Sequence, residues 1–171
     1  MALGIELLDK SQHNSRTFDC GKDGMNVFIR QFAVKNQKLG ISRTWVFADS
    51  GSLKKEIAAY FTLAMQTVEP SDLHSDEKLP NYPTPVVLLA RIAVDKRFQG
   101  QGLGKRALLA ALAKALQASE QGLPAFAVVL DVLDDDALQF YQSFDFFQPF
   151  GDETHKLFVP MKAVKQLFQV A

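Results

Sequence analysis

The chain has 171 residues, 47% of them hydrophobic and 22% charged, the profile of a globular protein long enough to bury one real core and organised as one domain over residues 1–171. No apolar stretch reaches the roughly 18 to 20 residues of a bilayer span, and the opening MALGIELLDK carries two acids where a signal peptide carries base, so the expected location is the cytoplasm with no membrane partner. The single cysteine, Cys20, excludes an internal disulfide, and His13, His74 and His155 lie far apart without metal-ligand spacing, so no metal site is expected.

In chain order, Gly4 to Leu8 reads as a first strand. Met25, Phe28, Ile29, Phe32 and Ala33 then recur at helical spacing, with Arg30, Gln31, Lys35 and Lys38 on the opposite face at about 100° per residue, and Gly40 as the stop. Thr44 to Ala48 and Ile57 to Val68 are rich in β-formers and flank the turn Asp49-Ser50-Gly51-Ser52, as an antiparallel hairpin would. Residues 70–85 hold four prolines and read as an irregular loop. Val86 to Val94 is an almost continuous apolar run, as in a central strand covered on both faces. Leu103 to Leu116 is an Ala- and Leu-rich helix, Phe126 to Val132 a buried strand, and Asp135 to Phe144 a short helix with acids in its first turn. Strands near Phe147 and Leu157 and a helix from about Met161 close the chain.

Net charge is zero but unevenly spread. Residues 1–60 hold nine bases against six acids, residues 86–117 six against one, and residues 118–154 eight acids and no base. An anion-binding face therefore has to come from bringing the basic segments together.

Between the central strand and the long helix lies Arg97-Phe98-Gln99-Gly100-Gln101-Gly102-Leu103-Gly104-Lys105. Alternate glycines let backbone approach a ligand and turn several N–H groups toward it, and the helix that follows adds its positive end, so the object recognised should be a phosphate or pyrophosphate. A P-loop needs four residues between its first glycine and Gly-Lys, then Ser or Thr; here Gly100 and Gly104 enclose three, and Arg106 follows Lys105. A dinucleotide fingerprint needs G-x-G-x-x-G, and this turn is G-x-G-x-G. The pyrophosphate loop of acetyltransferases, Arg/Gln-x-x-Gly-x-Gly/Ala after a buried strand, fits at every position.

On these residues, with Phe18-Asp19-Cys20-Gly21 and Ala137-Leu-Gln-Phe140-Tyr141-Gln-Ser-Phe144, the chain resembles the GNAT superfamily of N-acetyltransferases, and within it toxin acetyltransferases of the TacT and AtaT kind. The resemblance implies an α/β (α+β) fold, a single domain whose mixed, mainly antiparallel sheet splays to hold acetyl-CoA between flanking helices. It places pantetheine along the backbone of Ile92, Ala93 and Val94, as an added strand would lie. The remaining cofactor contacts fall on Arg97, Gln99, Gly100, Gln101, Gly102, Leu103, Gly104 and Lys105. Asp145 stands where the family has glycine, which asks an aspartate to take a left-handed turn under some strain.

Acetyl transfer to an amine needs a neutral amine, donors for an oxyanion and a proton for the departing thiolate. Tyr141 resembles the family tyrosine that gives this proton, and backbone N–H near Ile92 to Val94, freed by a strand bulge, would meet the oxyanion. Glu69 and Asp95 read as solvated or structural carboxylates, which leaves no assigned general base. The toxin resemblance further implies aminoacyl-tRNA as the amine, with Lys22, Arg30, Lys35, Lys38, Arg43 and Arg91 as candidate phosphate contacts. It also implies a ribbon-helix-helix antitoxin as partner and is compatible with a homodimer. A housekeeping acetyltransferase for a small amine or a protein N-terminus would share the loop and Tyr141.

Overall fold

In the computed structural model, residues 3–49 and 54–169 are described, so the expected hairpin turn at 50–53 lies outside them. The chain folds as two compact units, neither continuous in sequence: residues 1–64 with 90–111, and residues 65–89 with 112–171.

In the first unit, β1 (Leu3–Leu7) leads through β2 (His13–Asn14), α1 (Asp23–Val27), a π turn at Phe28–Phe32 and α2 (Ala33–Lys38) to β3 (Arg43–Asp49) and β4 (Lys55–Val68). Strands β1, β3 and β4 are antiparallel neighbours, with Leu7 opposite Trp45 and Trp45 opposite Phe61. β2 adds a short parallel pairing of His13 with Lys55. Phe47 faces Ala59 but Ala48 faces Ile57, which makes Ala58 an extra residue in β4, and its carbonyl accepts the Asp95 N–H at 2.9 Å. The unit also takes the last residues of β5 (Thr84–Val94) and the first turns of α3 (Leu103–Gln121). Phe18, Ile29, Ala33, Val46, Ala48, Ile57 and Tyr60 are buried together here, and each large member removed from water stabilises the fold by about 1.5–3 kcal/mol. The Tyr60 hydroxyl donates to the Met25 carbonyl at 2.7 Å, so a polar group in this core is satisfied.

One expectation fails in this unit. Phe32, read as core-facing, is 46% exposed. The π turn supplies the reason: it inserts one residue, so Ala33, five after Phe28, takes the buried position and Phe32 rotates outward.

In the second unit the start of β5 pairs parallel with β6 (Ala127–Asp131), Val86 opposite Ala127. β8 (Lys156–Pro160) lies antiparallel to β6, and β7 (Gln148–Pro149) antiparallel to β8. α4 (Asp135–Gln142) and α5 (Met161–Phe168) complete it. The proline-rich loop is fastened rather than free: Leu73 bridges to Phe150, and Gly151 N–H donates to the Asp72 carbonyl at 2.8 Å. Val68, Leu73, Val86, Ala127, Val129, Phe150 and Phe158 form the core there.

Pairing is thus mixed and mainly antiparallel, with flanking helices, as expected. α3 runs past the anticipated Leu116 to Gln121 and stops at Gly122, since Gln117 to Gln121 contains no helix breaker. Among the described residues no helix is long and apolar enough to cross a membrane.

Candidate active site

The glycine turn begins where β5 ends. Asp95, 2% exposed, caps a 3₁₀ turn at Lys96–Phe98 by accepting the Arg97 N–H at 2.9 Å. Burial pushes its carboxyl up, but hydrogen bonds from Arg97 and from the Asp19 N–H outweigh that and hold it below the usual carboxylate range. Asp95 is therefore a paired structural carboxylate, as read. Glu69 is exposed, at the edge of the 3₁₀ turn Pro70–Asp72.

Gly100 and Gly102 both have positive φ, 78° and 80°. A Cβ at either would meet nothing within 4 Å, so backbone conformation, with open space before it, is what requires glycine there. α3 starts at once. Its first internal bond runs from Arg106 N–H to the Gly102 carbonyl at 3.2 Å, which leaves the N–H groups of Leu103, Gly104 and Lys105 outside the helical ladder. Exposed left-handed glycines leading into free helix N–H groups fit a diphosphate.

The side chains of Arg97 and Gln99 are used elsewhere. Arg97 donates through Nε to Asp95 at 2.9 Å and through Nη1 to Glu56 at 2.6 Å. The Gln99 amide donates to the carbonyls of Val94 at 2.8 Å and Cys20 at 3.1 Å.

Tyr141 belongs to the second unit, on α4, whose first turn is capped by Asp134 accepting from Ala137 N–H at 2.9 Å. Its ring is 2% exposed and sits edge-on to Phe140 at 5.4 Å and Phe147 at 5.9 Å between centroids. Burial pushes the phenol well above its ordinary value, so it stays protonated at neutral pH. The anticipated strain at Asp145 is absent: no described non-glycine residue has positive φ, so the aspartate continues in an ordinary conformation.

Of the six candidate phosphate contacts, three come together. Arg30, Lys35 and Lys38 line one groove of about 460 Å³ with Lys10, His13, Ser15 and Gln31, over a floor including Leu8, Ile29 and Val34. The π turn moves Phe32 but leaves this cationic face intact. Lys10 and His13 were missed in the sequence because they precede the helix and share no periodicity with it. His13 is buried: its Nδ1 accepts the Asp9 N–H at 3.0 Å, which leaves Nε2–H to donate to Glu6 at 2.6 Å. Lys55, also 2.6 Å from Glu6, and then His13 hold that carboxyl below its usual range. Gln37 ties α2 to the same wall through the Leu8 carbonyl and the Thr44 N–H, both at 2.9 Å. Lys22 precedes α1 and Arg43 begins β3; neither lines the groove. Arg91 lies over the Phe28 ring instead. Among the described residues no three His, Cys, Asp or Glu side chains are grouped to hold a metal.

Residues 16–146 match the model of the acetyltransferase (GNAT) family. A tRNA-acetylating toxin of Mycobacterium tuberculosis (strain ATCC 25618 / H37Rv) is 31% identical over 153 residues, 88% of each chain. Among solved structures, AtaT complexed with acetyl-methionyl-tRNAfMet superposes with a TM-score of 0.87 at 28% identity, over 98% of this chain and 99% of that one. A mutant AtaT toxin bound to the C-terminus of the antitoxin AtaR gives 0.85 at 26%, over 99% and 100%. AtaTR bound with AcCoA gives 0.83 at 27%, over 98% and 99%.

Proposed function

The chain belongs to the acetyltransferase (GNAT) family, and from that premise we propose that it transfers the acetyl group of acetyl-CoA to the α-amine of aminoacyl-tRNA, as the toxin of a toxin–antitoxin pair. The observation that carries the reading is the open, left-handed Gly100 and Gly102 turn at the head of α3, in a chain 31% identical to a tRNA-acetylating toxin. Solved relatives carry the same ligands: AtaT with acetyl-methionyl-tRNAfMet and with AtaR, and AtaTR with AcCoA.

When bound, acetyl-CoA supplies an activated acyl group as a thioester. On this proposal Gly100, Gln101, Gly102, Leu103, Gly104 and Lys105 hold its diphosphate through backbone N–H, while Ile92, Ala93 and Val94 offer strand backbone to its pantetheine arm and a donor to the acyl oxygen. Tyr141, protonated through the neutral range, is the group that gives a proton to the leaving thiolate. Arg30, Lys35 and Lys38, with Lys10 beside them, meet backbone phosphates of the RNA. The catalytic domain is taken as residues 1–171, acting in the cytoplasm, and an antitoxin of ribbon-helix-helix type is its expected protein partner. A translation extract tests the reading: the purified protein with acetyl-CoA should stop synthesis, and fresh aminoacyl-tRNA added after its removal should restore it. Inhibition that is independent of acetyl-CoA would contradict the reading.

A further inference from the structure

The side chains of Asp95, Arg97 and Gln99, beside the glycine turn, are all hydrogen-bonded to other groups of the protein. Asp95 accepts four hydrogen bonds: from Arg97 N–H and Nε to one oxygen, both at 2.9 Å, and from Asp19 N–H at 3.0 Å and Arg97 Nη2 at 3.2 Å to the other. Arg97 has its third edge on Glu56, so all three of its donor nitrogens are engaged by carboxylates. The Lys96 N–H donates to the Asp19 carbonyl at 2.9 Å, and Gln99 donates to Cys20. The Phe18–Gly21 segment is therefore clipped to the turn from both sides. It is fixed in its own right by Asn26 of α1, 5% exposed, whose carboxamide accepts from Cys20 N–H at 2.9 Å and donates to Asp19 at 3.0 Å.

We infer that Asp95, Arg97 and Gln99 are positioning residues: their side chains brace the glycine turn against the Phe18–Gly21 segment and hold its N–H groups aimed at the cofactor diphosphate, and the Arg97 charge does not itself contact phosphate. Three points support this. A buried carboxylate with four donors is rigid in a way an exposed turn rich in glycine is not. A guanidinium spent on two carboxylates would have to give up charge-assisted bonds to reach a new anion. Gly21, at φ 88°, has Lys96 Cε only 3.2 Å from where a Cβ would be, so the two segments meet at close range.

The inference rests on the acetyl-CoA reading and is tested through steady-state kinetics with two donors, acetyl-CoA and S-acetyl-pantetheine, which lacks the diphosphate. Asp95→Asn, Arg97→Gln and Gln99→Met should each raise KM for acetyl-CoA about tenfold, the scale of one charged hydrogen bond or of the two neutral ones that Gln99 makes. They should leave kcat at saturation and KM for S-acetyl-pantetheine within about threefold of wild type. The double variant Asp95→Asn/Arg97→Gln should be no worse than the poorer single, since both act through one contact. Gln99 is exposed, so Gln99→Met keeps the test open should Asp95→Asn fold badly. Multiplying losses in the double variant would show that Arg97 meets the cofactor on its own account and overturn the inference. An unchanged acetyl-CoA KM in all three singles would overturn it too. A wild-type protein that uses neither donor would instead overturn the acetyl-CoA reading beneath it.

Discussion

The guanidinium of Arg91 lies 4.3 Å from the centroid of the Phe28 ring, with Nη1 3.9 Å from the sulfur of Met25. A strand cation half-withdrawn from water is thus held by a ring face and a thioether, neither of which carries charge to neutralise it. Such a contact stabilises by about 0.5–2 kcal/mol, and the cost of withdrawing the charge works against it. Arg91→Met should therefore leave folding stability within about 1 kcal/mol of wild type. Its kcat/KM for charged tRNA should stay within about threefold of wild type, with acetyl-CoA affinity retained, because Arg91 lies over Phe28 and does not line the cationic groove. Thermal unfolding, calorimetry and kinetics on one preparation separate these; a tenfold fall in kcat/KM for charged tRNA at unchanged stability would instead place Arg91 against the RNA.

Gly102→Val tests the glycine turn. The φ of 80° is one a β-branched residue adopts at a cost of about 1–3 kcal/mol, yet no atom stands within 4 Å of the new Cβ, so the fold should survive. Acetyl-CoA binding should be lost in calorimetry, because the isopropyl group fills the space through which backbone meets the diphosphate. Unchanged binding in a folded variant would remove this turn from the cofactor site.

Tyr141→Phe keeps the ring that packs against Phe140 and Phe147 and removes only the hydroxyl. Acetyl-CoA binding should persist while kcat falls by about 10² to 10⁴. Since burial raises the phenol above its ordinary value, it should remain a proton donor through the whole neutral and mildly alkaline range. The wild-type kcat should then show no alkaline decline from this group below about pH 10. Near wild-type turnover in the variant would return Tyr141 to a packing role.

Much of this was legible in the sequence because it is local. The apolar run Val86 to Val94 became β5, two residues longer at its start, and the acids of Asp134 to Asp136 marked the start of α4. Phe32 misled because period-3.6 reasoning assumes an unbroken helix, and a π turn leaves no mark in the apolar pattern. Asp95 and Asp19 meet across 76 residues of chain, so no spacing rule links them, although Phe-Asp-Cys-Gly stood out as a string. Arg97 bonds Asp95, two residues before it, but its other partner, Glu56, stands on β4 across 41 residues of chain, and no spacing rule links those two.

The groove predicts a salt signature. Charge reversal of Arg30, Lys35 and Lys38 together should weaken reaction with charged tRNA while sparing acetyl-CoA binding. The wild-type reaction should fall steeply as salt rises, because binding a polyanion releases counterions from about as many phosphates as are contacted. The triple variant should show a shallower slope. Equal activity of both proteins at every salt concentration would mean that RNA lies on another face.

The most direct measurement is acetyl transfer itself: purified protein with labelled acetyl-CoA, offered in parallel to total aminoacyl-tRNA, the same tRNA stripped of its amino acids, and free polyamines or peptides. Label should enter the charged tRNA only and leave it as N-acetyl-amino acid on mild ester hydrolysis, since the esterified residue carries the reacting amine. Label in polyamines or peptide amines, with charged tRNA left unmodified, would contradict the account and assign the enzyme to small-amine or protein acetylation.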